Sequence, residues 1–387
     1  MIKKLKIILL IILLVTLIFL AIPFSVFAQE IENVYDILGQ IDLSALENLF
    51  NSLSSEEQEF LGSSLKEFLD RIINGNTFEI KDLLGFFISF YITLFLDTLP
   101  AFIIILIVLF ASGILHNIKP DFASKSISNI LSFASAIIIG SILCYSVFQV
   151  IIEFANLINK IHNLVQTVFP IILSILVTMG ASTTAGIMQT GVAIFLSIIT
   201  IVINVFIIPI CLAGCLLSIV TNLSLSFRLN KIPDIMQSIG KKVLLGVFVA
   251  FFTIISLQGI STQAYDSVGI RIAKFSLSKY IPILGGYLST GFDYLYSGSV
   301  IIKNTLGVAF LILLLVLILP MILRLLFIKV FAHILSSIAL FIEHKNTSQM
   351  LNGVANSVSL MITSVVGIAL SLGFFSVMII LSFNSLI

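Results

Sequence analysis

Residues 305–328 read TLGVAFLILLLVLILPMILRLLFI, with a single charged side chain, Arg324, in the whole run. A helix crossing the hydrocarbon core of a bilayer needs about 20 apolar residues, and this stretch supplies them without interruption. Working outward, similar runs lie near 84–115, 127–152, 163–182, 187–208, 209–225, 243–264 and 351–383, which makes eight candidate spans. The chain as a whole is 59% hydrophobic and 10% charged, with a mean hydropathy of +1.20, a composition that excludes an ordinary water-soluble domain. The expected fold is all-α, a polytopic integral membrane helical bundle occupying residues 84–387. The first run is too long for one straight crossing and carries Asp97 and Pro100, so its first half is expected in the interface. Pro209, between the fourth and fifth runs, marks either a tight turn or a kink in one long helix.

Ahead of the bundle, Lys3, Lys4 and Lys6 precede an apolar segment from Ile7 to Ala21, then Pro23 and Val26-Phe27-Ala28. This is the pattern of a signal peptide over residues 1–28, with an uncleaved anchor of the same orientation as the alternative. Residues 29–83 follow with twelve acidic and three basic side chains (Lys66, Arg71, Lys81) and form an acidic extracytoplasmic helical domain. Leu61, Leu65, Phe68, Leu69, Ile72 and Ile73 make one helical stripe, opened by the capping box Ser54…Glu57 and closed near Gly75. Ser44…Glu47 repeats the box for an earlier helix. So short a domain has little core of its own, and its stripe is expected to pack on itself, on the membrane surface or on a partner.

With residue 29 outside, short cytoplasmic loops hold nine Lys and Arg (Lys119, Lys125, Arg228, Lys231, Lys241, Lys242, Arg324, Lys329, Lys345) against five opposite (Lys160, Arg271, Lys274, Lys279, Lys303). The bias agrees with the signal peptide. Four of those five fall in or beside 265–304, which also holds five of the eight tyrosines, and the chain has no Trp to serve an aromatic belt. With Pro282 and Gly285-Gly286 at its centre, this segment reads as an interfacial helix leading into a re-entrant or broken one, or else as an ordinary extracytoplasmic loop. Asp266, Arg271, Lys274, Pro282, Gly285 and Gly286 are its candidate conduit or partner-contact residues, Arg271 and Lys274 sharing a helix face that suits acidic groups of the exported domain.

Catalytic signatures are absent: no phosphate-binding loop, no H-E-x-x-H, no G-x-S-x-G, and dispersed histidines. No enzyme activity, cofactor or metal site is expected, and no basic patch suggests nucleic acid. Cys144, Cys211 and Cys215 all lie in apolar runs and imply no disulfide framework. Asp97 is the acid set deepest in apolar sequence, either part of an ion path or a structural group beside Pro100. Ser132, Ala136, Gly140 and Cys144 present small residues every four positions for close helix contact, and Gly180 to Gly186 forms a second small-residue cluster between two runs. The second cluster reads as a hairpin within one subunit or as a surface that lines a pore or pairs subunits.

The signal peptide, the short acidic domain, and Phe169-Pro170 through Gly180-Ala181-Ser182-Thr183 resemble the stage III sporulation protein AE family. So do Gln258-Gly259, Asp266, Ala273-Lys274-Phe275, Ile281-Pro282, Gly285, Lys303-Asn304 and Gly307. The likeness runs along essentially the whole chain and is most specific over 258–307. The resemblance implies a subunit of a secretion-like channel complex between mother cell and engulfed forespore, needed for forespore maintenance and late sigma-factor activity. Its implied partners are other products of the same operon, including the AA ATPase and the ring-forming AG and AH proteins, and stage II sporulation protein Q across the intermembrane space. It implies a place in the outer forespore membrane, with the N-terminal domain in the intermembrane space and homo-oligomers possible. A self-contained ion- or proton-coupled transporter and a passive scaffold are the alternative readings, the former requiring more buried ionisable groups than Asp97 alone.

Overall fold

The computed structural model describes residues 41–74, 80–117, 125–223, 231–280 and 285–383. The signal peptide, Pro282 and the loops bearing Lys119 and Arg228 lie outside them. Three short helices come first, α1 (Ser44–Asn51), α2 (Ser55–Leu61) and α3 (Leu65–Ile73). Six long helical stretches follow: α4 (Ile80–Asn117), α5 (Lys125–Thr178), α6 (Ser182–Ile201) continuing through a π-turn (Val202–Ile207) into α7 (Ile208–Leu223), α8 (Lys231–Tyr280), α9 (Gly285–Phe341) and α10 (Lys345–Leu381). Each of the six is long and apolar enough to cross a membrane.

Eight expected runs become six because two pairs fuse. Residues 153–162 carry Glu153, Asn156, Asn159 and Lys160, which suggest a loop, yet α5 passes straight through them. Phe154, Leu157, Ile158, Ile161, Leu164 and Val165 are all buried there, so the apolar stripe holds helical period while the polar residues stay on the outer face. At the second junction Pro209 has no N–H for the carbonyl one turn back. The preceding π-turn widens the helix at that point and the chain continues without a reversal.

The N-terminal helices follow the expected pattern in part. At Ser54 the capping box forms, with the Ser54 N–H donating to Glu57 Oε2 at 2.7 Å and the Glu57 N–H to Ser54 Oγ at 3.3 Å. The stripe beyond it is not one helix, because Gly62 turns the chain at φ +128° and separates α2 from α3. A second cap appears there, the Glu67 N–H donating to Ser64 Oγ at 3.2 Å while Glu67 Oε2 accepts from the Ser63 N–H at 2.8 Å. The Ser44…Glu47 box does not form: Ser44 is already helical, and its N–H donates to Asp42 Oδ1 at 3.0 Å. Leu46, Phe50, Phe68 and Ile72 bury together, the Phe50 and Phe68 rings 5.9 Å apart. The small core does not stand alone, since α1 packs on α5 and α3 on α9.

Close packing inside the bundle uses the expected small residues. A Cβ at Gly140 would lie 3.0 Å from Ile219 Cγ2, which sets α5 tightly against α7. Ala136 is buried one turn earlier, and Ser132 lies on the same helix. Cys211 and Cys215 are buried packing residues, the Cys211 thiol donating to the Ser357 carbonyl at 3.6 Å. Gln237 Nε2 donates to Ser357 Oγ at 2.8 Å and ties α8 to α10.

Candidate functional site

Residues 265–304 form the far end of α8 and the near end of α9, helical on either side of positions 281–284. Gly285 and Gly286 open α9. Three tethers hold this end of the molecule together. The first joins both candidate clusters from the sequence. Helix α5 ends at Gly180, whose φ of +86° lets the Ala181 N–H reach the Leu176 carbonyl at 2.9 Å and the Gly180 N–H the Val177 carbonyl at 2.9 Å. These two bonds close a Schellman turn, for which a left-handed glycine is the natural residue. Helix α6 then starts at Ser182 without a side-chain cap of its own. The buried Asp266 carboxylate of α8 supplies one across space, accepting the Thr184 N–H at 2.7 Å. Gly186 is exposed, and a Cβ there would meet nothing within 4 Å.

The second tether is an ion pair between Lys274 of α8 and Asp293 of α9. Lys274 therefore meets an acid of the membrane domain, not one of the N-terminal helices as its spacing suggested, while Arg271 is exposed. The third tether was counted in the sequence only as loop charge. Lys303 is fully buried in α9, its ammonium donating to the carbonyls of Ile380 (3.2 Å) and Ser382. A cation at the end of α10 complements that helix's exposed carbonyls. The Tyr296 hydroxyl donates to the Phe383 carbonyl at 2.8 Å, and Ser376 Oγ to the Gly307 carbonyl at 3.0 Å. Gly307 has to be small, since a Cβ would stand 2.6 Å from Ile380 Cγ1.

Deeper in the bundle, Arg324 Nη1 lies 2.5 Å from Glu153 Oε2. The sequence count placed Arg324 at the cytoplasmic face and Lys160, seven residues from Glu153, at the opposite one; the pair sets Arg324 and Glu153 at one height. Asp97 is exposed on α4.

Beside Glu153 the outward face of α5 changes character. Ile130, Phe133, Ile137, Ile138, Tyr145, Phe148 and Ile152 are exposed before it; Asn156, Asn159, Lys160, Asn163, Gln166 and Ser174 are exposed after it. This polar face and α1 enclose a trough of two lobes, about 670 and 500 Å³, that share Asp42, Pro170 and Ile171. Asn48 and Ser52 line it from α1, and Ser299 from α9. Pro170, which lines both lobes, has no N–H to donate to the Gln166 carbonyl one turn back. Bonds to Ser44 hold the Asp42 carboxyl below the usual 3.8. None of these elements was legible as a trough in the sequence, where Lys160 and its neighbours looked like a loop; the signal was there in the helical spacing of 160, 163, 167, 171, 174 and 178.

The profile of the stage III sporulation protein AE family matches residues 63–384. A relative carrying that name in Bacillus subtilis (strain 168) is 25% identical over 276 residues, covering 70% of this chain and 68% of its own. No solved structure matches the chain. The match spans the bundle, all three tethers and α3, and the chain belongs to the stage III sporulation protein AE family.

Proposed function

We propose that this chain is a membrane subunit of a channel complex between mother cell and engulfed forespore, sitting in the outer forespore membrane with its N-terminal helices in the intermembrane space. Membership of a stage III sporulation family supports a role in sporulation. One structural observation favours a conduit wall over a self-contained transporter. The contact of His162 Nδ1 with Thr200 Oγ1 at 3.4 Å sets the middle of α5 level with the end of α6. At that height α6 exposes Ile194, Ile198 and Ile201, a face made for lipid, whereas α5 exposes Asn156, Asn159, Lys160, Asn163 and Gln166. A helix cannot turn such a face to hydrocarbon without leaving its amides unsatisfied. On this reading the α5 side faces water or neighbouring subunits, as a conduit wall would.

Replacing Asn159, Asn163 and Gln166 together by Leu tests this. The variant should insert and accumulate, because all three side chains are exposed, yet sporulation should fail and co-purification of the complex from sporulating cells should be lost. Normal sporulation and normal co-purification would refute the wall. Impermeant labelling of Ser55→Cys in intact cells checks the orientation.

A further inference from the structure

We propose that the trough between α1 and the polar face of α5 is a binding site for an extended peptide segment. The proposal deepens the conduit reading by naming what the wall holds. Shape comes first. The lining runs along one face of α5 from Lys160 to Thr178, which at 1.5 Å per residue is about 27 Å. A chain advancing about 3.3 Å per residue fills that length with about eight residues. Both lobes border Asp42, Pro170 and Ile171, so they lie end to end along α5 and an elongated occupant would cross both.

Lining chemistry selects among elongated molecules. Asn48, Asn163 and Gln166 each offer amide donors and an acceptor. The Ser174 and Thr178 hydroxyls donate to the Ile171 and Ile175 carbonyls at 2.7 Å and still offer acceptors. Peptide groups need both kinds of partner at short intervals. An acyl chain needs neither and would strand the three amides. Leu49, Leu53, Ile171 and Leu317 alternate with the polar positions and provide apolar seats for side chains. Asp42 and Lys160 add one charge of each sign, so the site favours a peptide of mixed charge over a polyanion or polycation.

The test uses the full chain purified in detergent and a fluorescein-labelled peptide of about ten residues, alternating Leu with Asn and Ser and carrying one Asp and one Lys. Fluorescence anisotropy should rise to saturation. Ser174→Trp, which fills the trough, and the pair Asn163→Leu with Gln166→Leu should each weaken binding about tenfold or more, the equivalent of about 1.4 kcal/mol. Ile194→Trp, on the lipid-facing side of α6, should leave it unchanged. These positions are exposed, and each variant is first matched to the parent by helical circular dichroism and melting. Palmitate in excess should not displace the peptide. Non-saturable binding, equal binding by the filled trough, or displacement by palmitate would each overturn the proposal. Such a failure is separate from failure of the conduit reading, which is judged by complex co-purification in cells.

Discussion

Gly180 and Gly186 sit six residues apart in what the sequence presents as one small-residue cluster, and the structure gives an alanine at each the opposite sign. At Gly180 the backbone is left-handed, φ +86°, where a Cβ costs about 1–2 kcal/mol. The new Cβ would also stand 3.1 Å from Ile270 Cγ1, so α8 has to give by a few tenths of an ångström. Gly186 is inside helix α6 with open space around it, where replacing glycine by alanine returns about 0.5–1 kcal/mol of chain entropy. The two variants should differ by about 1.5–3 kcal/mol, which for a chain of this size is about 2–4 °C in melting temperature. Melting of detergent-purified protein followed by helical circular dichroism measures it. Gly180→Ala melting level with or above Gly186→Ala would refute the Schellman turn and, with it, the docking of α6 on Asp266.

Three further outcomes follow from the tethers and caps. Asp266→Ala removes a charge-assisted hydrogen bond and should destabilise by about 1.5–3 kcal/mol, whereas Asp266→Asn keeps an acceptor and should lose about 1 kcal/mol or less by the same melting assay. Lys274→Glu should impair sporulation by setting two acids together, and adding Asp293→Lys should restore it; the pair is partly exposed, so its coupling energy is about 0.2–1 kcal/mol and the rescue is the decisive reading. Glu67 has its carboxyl drawn down from 4.5 to about 2, chiefly by the Ser63 hydroxyl, then by the Ser63 N–H and Arg71. A depressed carboxyl stabilises above its unfolded value and loses that effect as pH falls toward the folded one. Protection factors of amides 62–74, which remove the intrinsic pH dependence of exchange, should therefore be steady down to about pH 4.5 and fall from there toward pH 2, and Glu67→Gln should flatten the change.

The membrane class was legible because hydropathy is a local property: a run such as 305–328 announces itself without knowledge of neighbours. Helix ends were less so. Residues 153–162 look like a loop when polar residues are counted, and like a helix only when their spacing around Phe154, Leu157, Ile158 and Ile161 is followed. Gly62 broke a stripe that periodicity alone made continuous, since a positive φ leaves no mark on spacing. At the candidate site, sequence picked Asp266, Lys274 and Gly180 but not their partners. Each partner lies on another helix: Thr184 is 82 positions from Asp266, and Ile380 is 77 from Lys303. Lys303 was misjudged for the same reason, a lysine near a span end being indistinguishable from a loop charge until α10 returns to meet it.

Helix length connects the tethers to the trough. Helices α5, α8 and α9 have 54, 50 and 57 residues, or about 75–85 Å each, against a hydrocarbon core of about 30 Å. More than half of each helix therefore lies beyond one core thickness, where lipid no longer holds the bundle and specific bonds have to. Asp266 joins α8 to α6, which no loop links directly, while Lys274 and Lys303 lock the pairs α8–α9 and α9–α10 at a point along their length. Ser299, which lines the trough, is one turn from Lys303 on α9. A slip of α9 against α10 by a single turn, about 5.4 Å, would carry Ser299 out of line with Ser174 and Thr178 across the trough. The buried lysine thus helps to hold Ser299 in place beside a trough that Lys303 does not itself line, and damage at Lys303 should be felt at the trough before it is felt in the membrane.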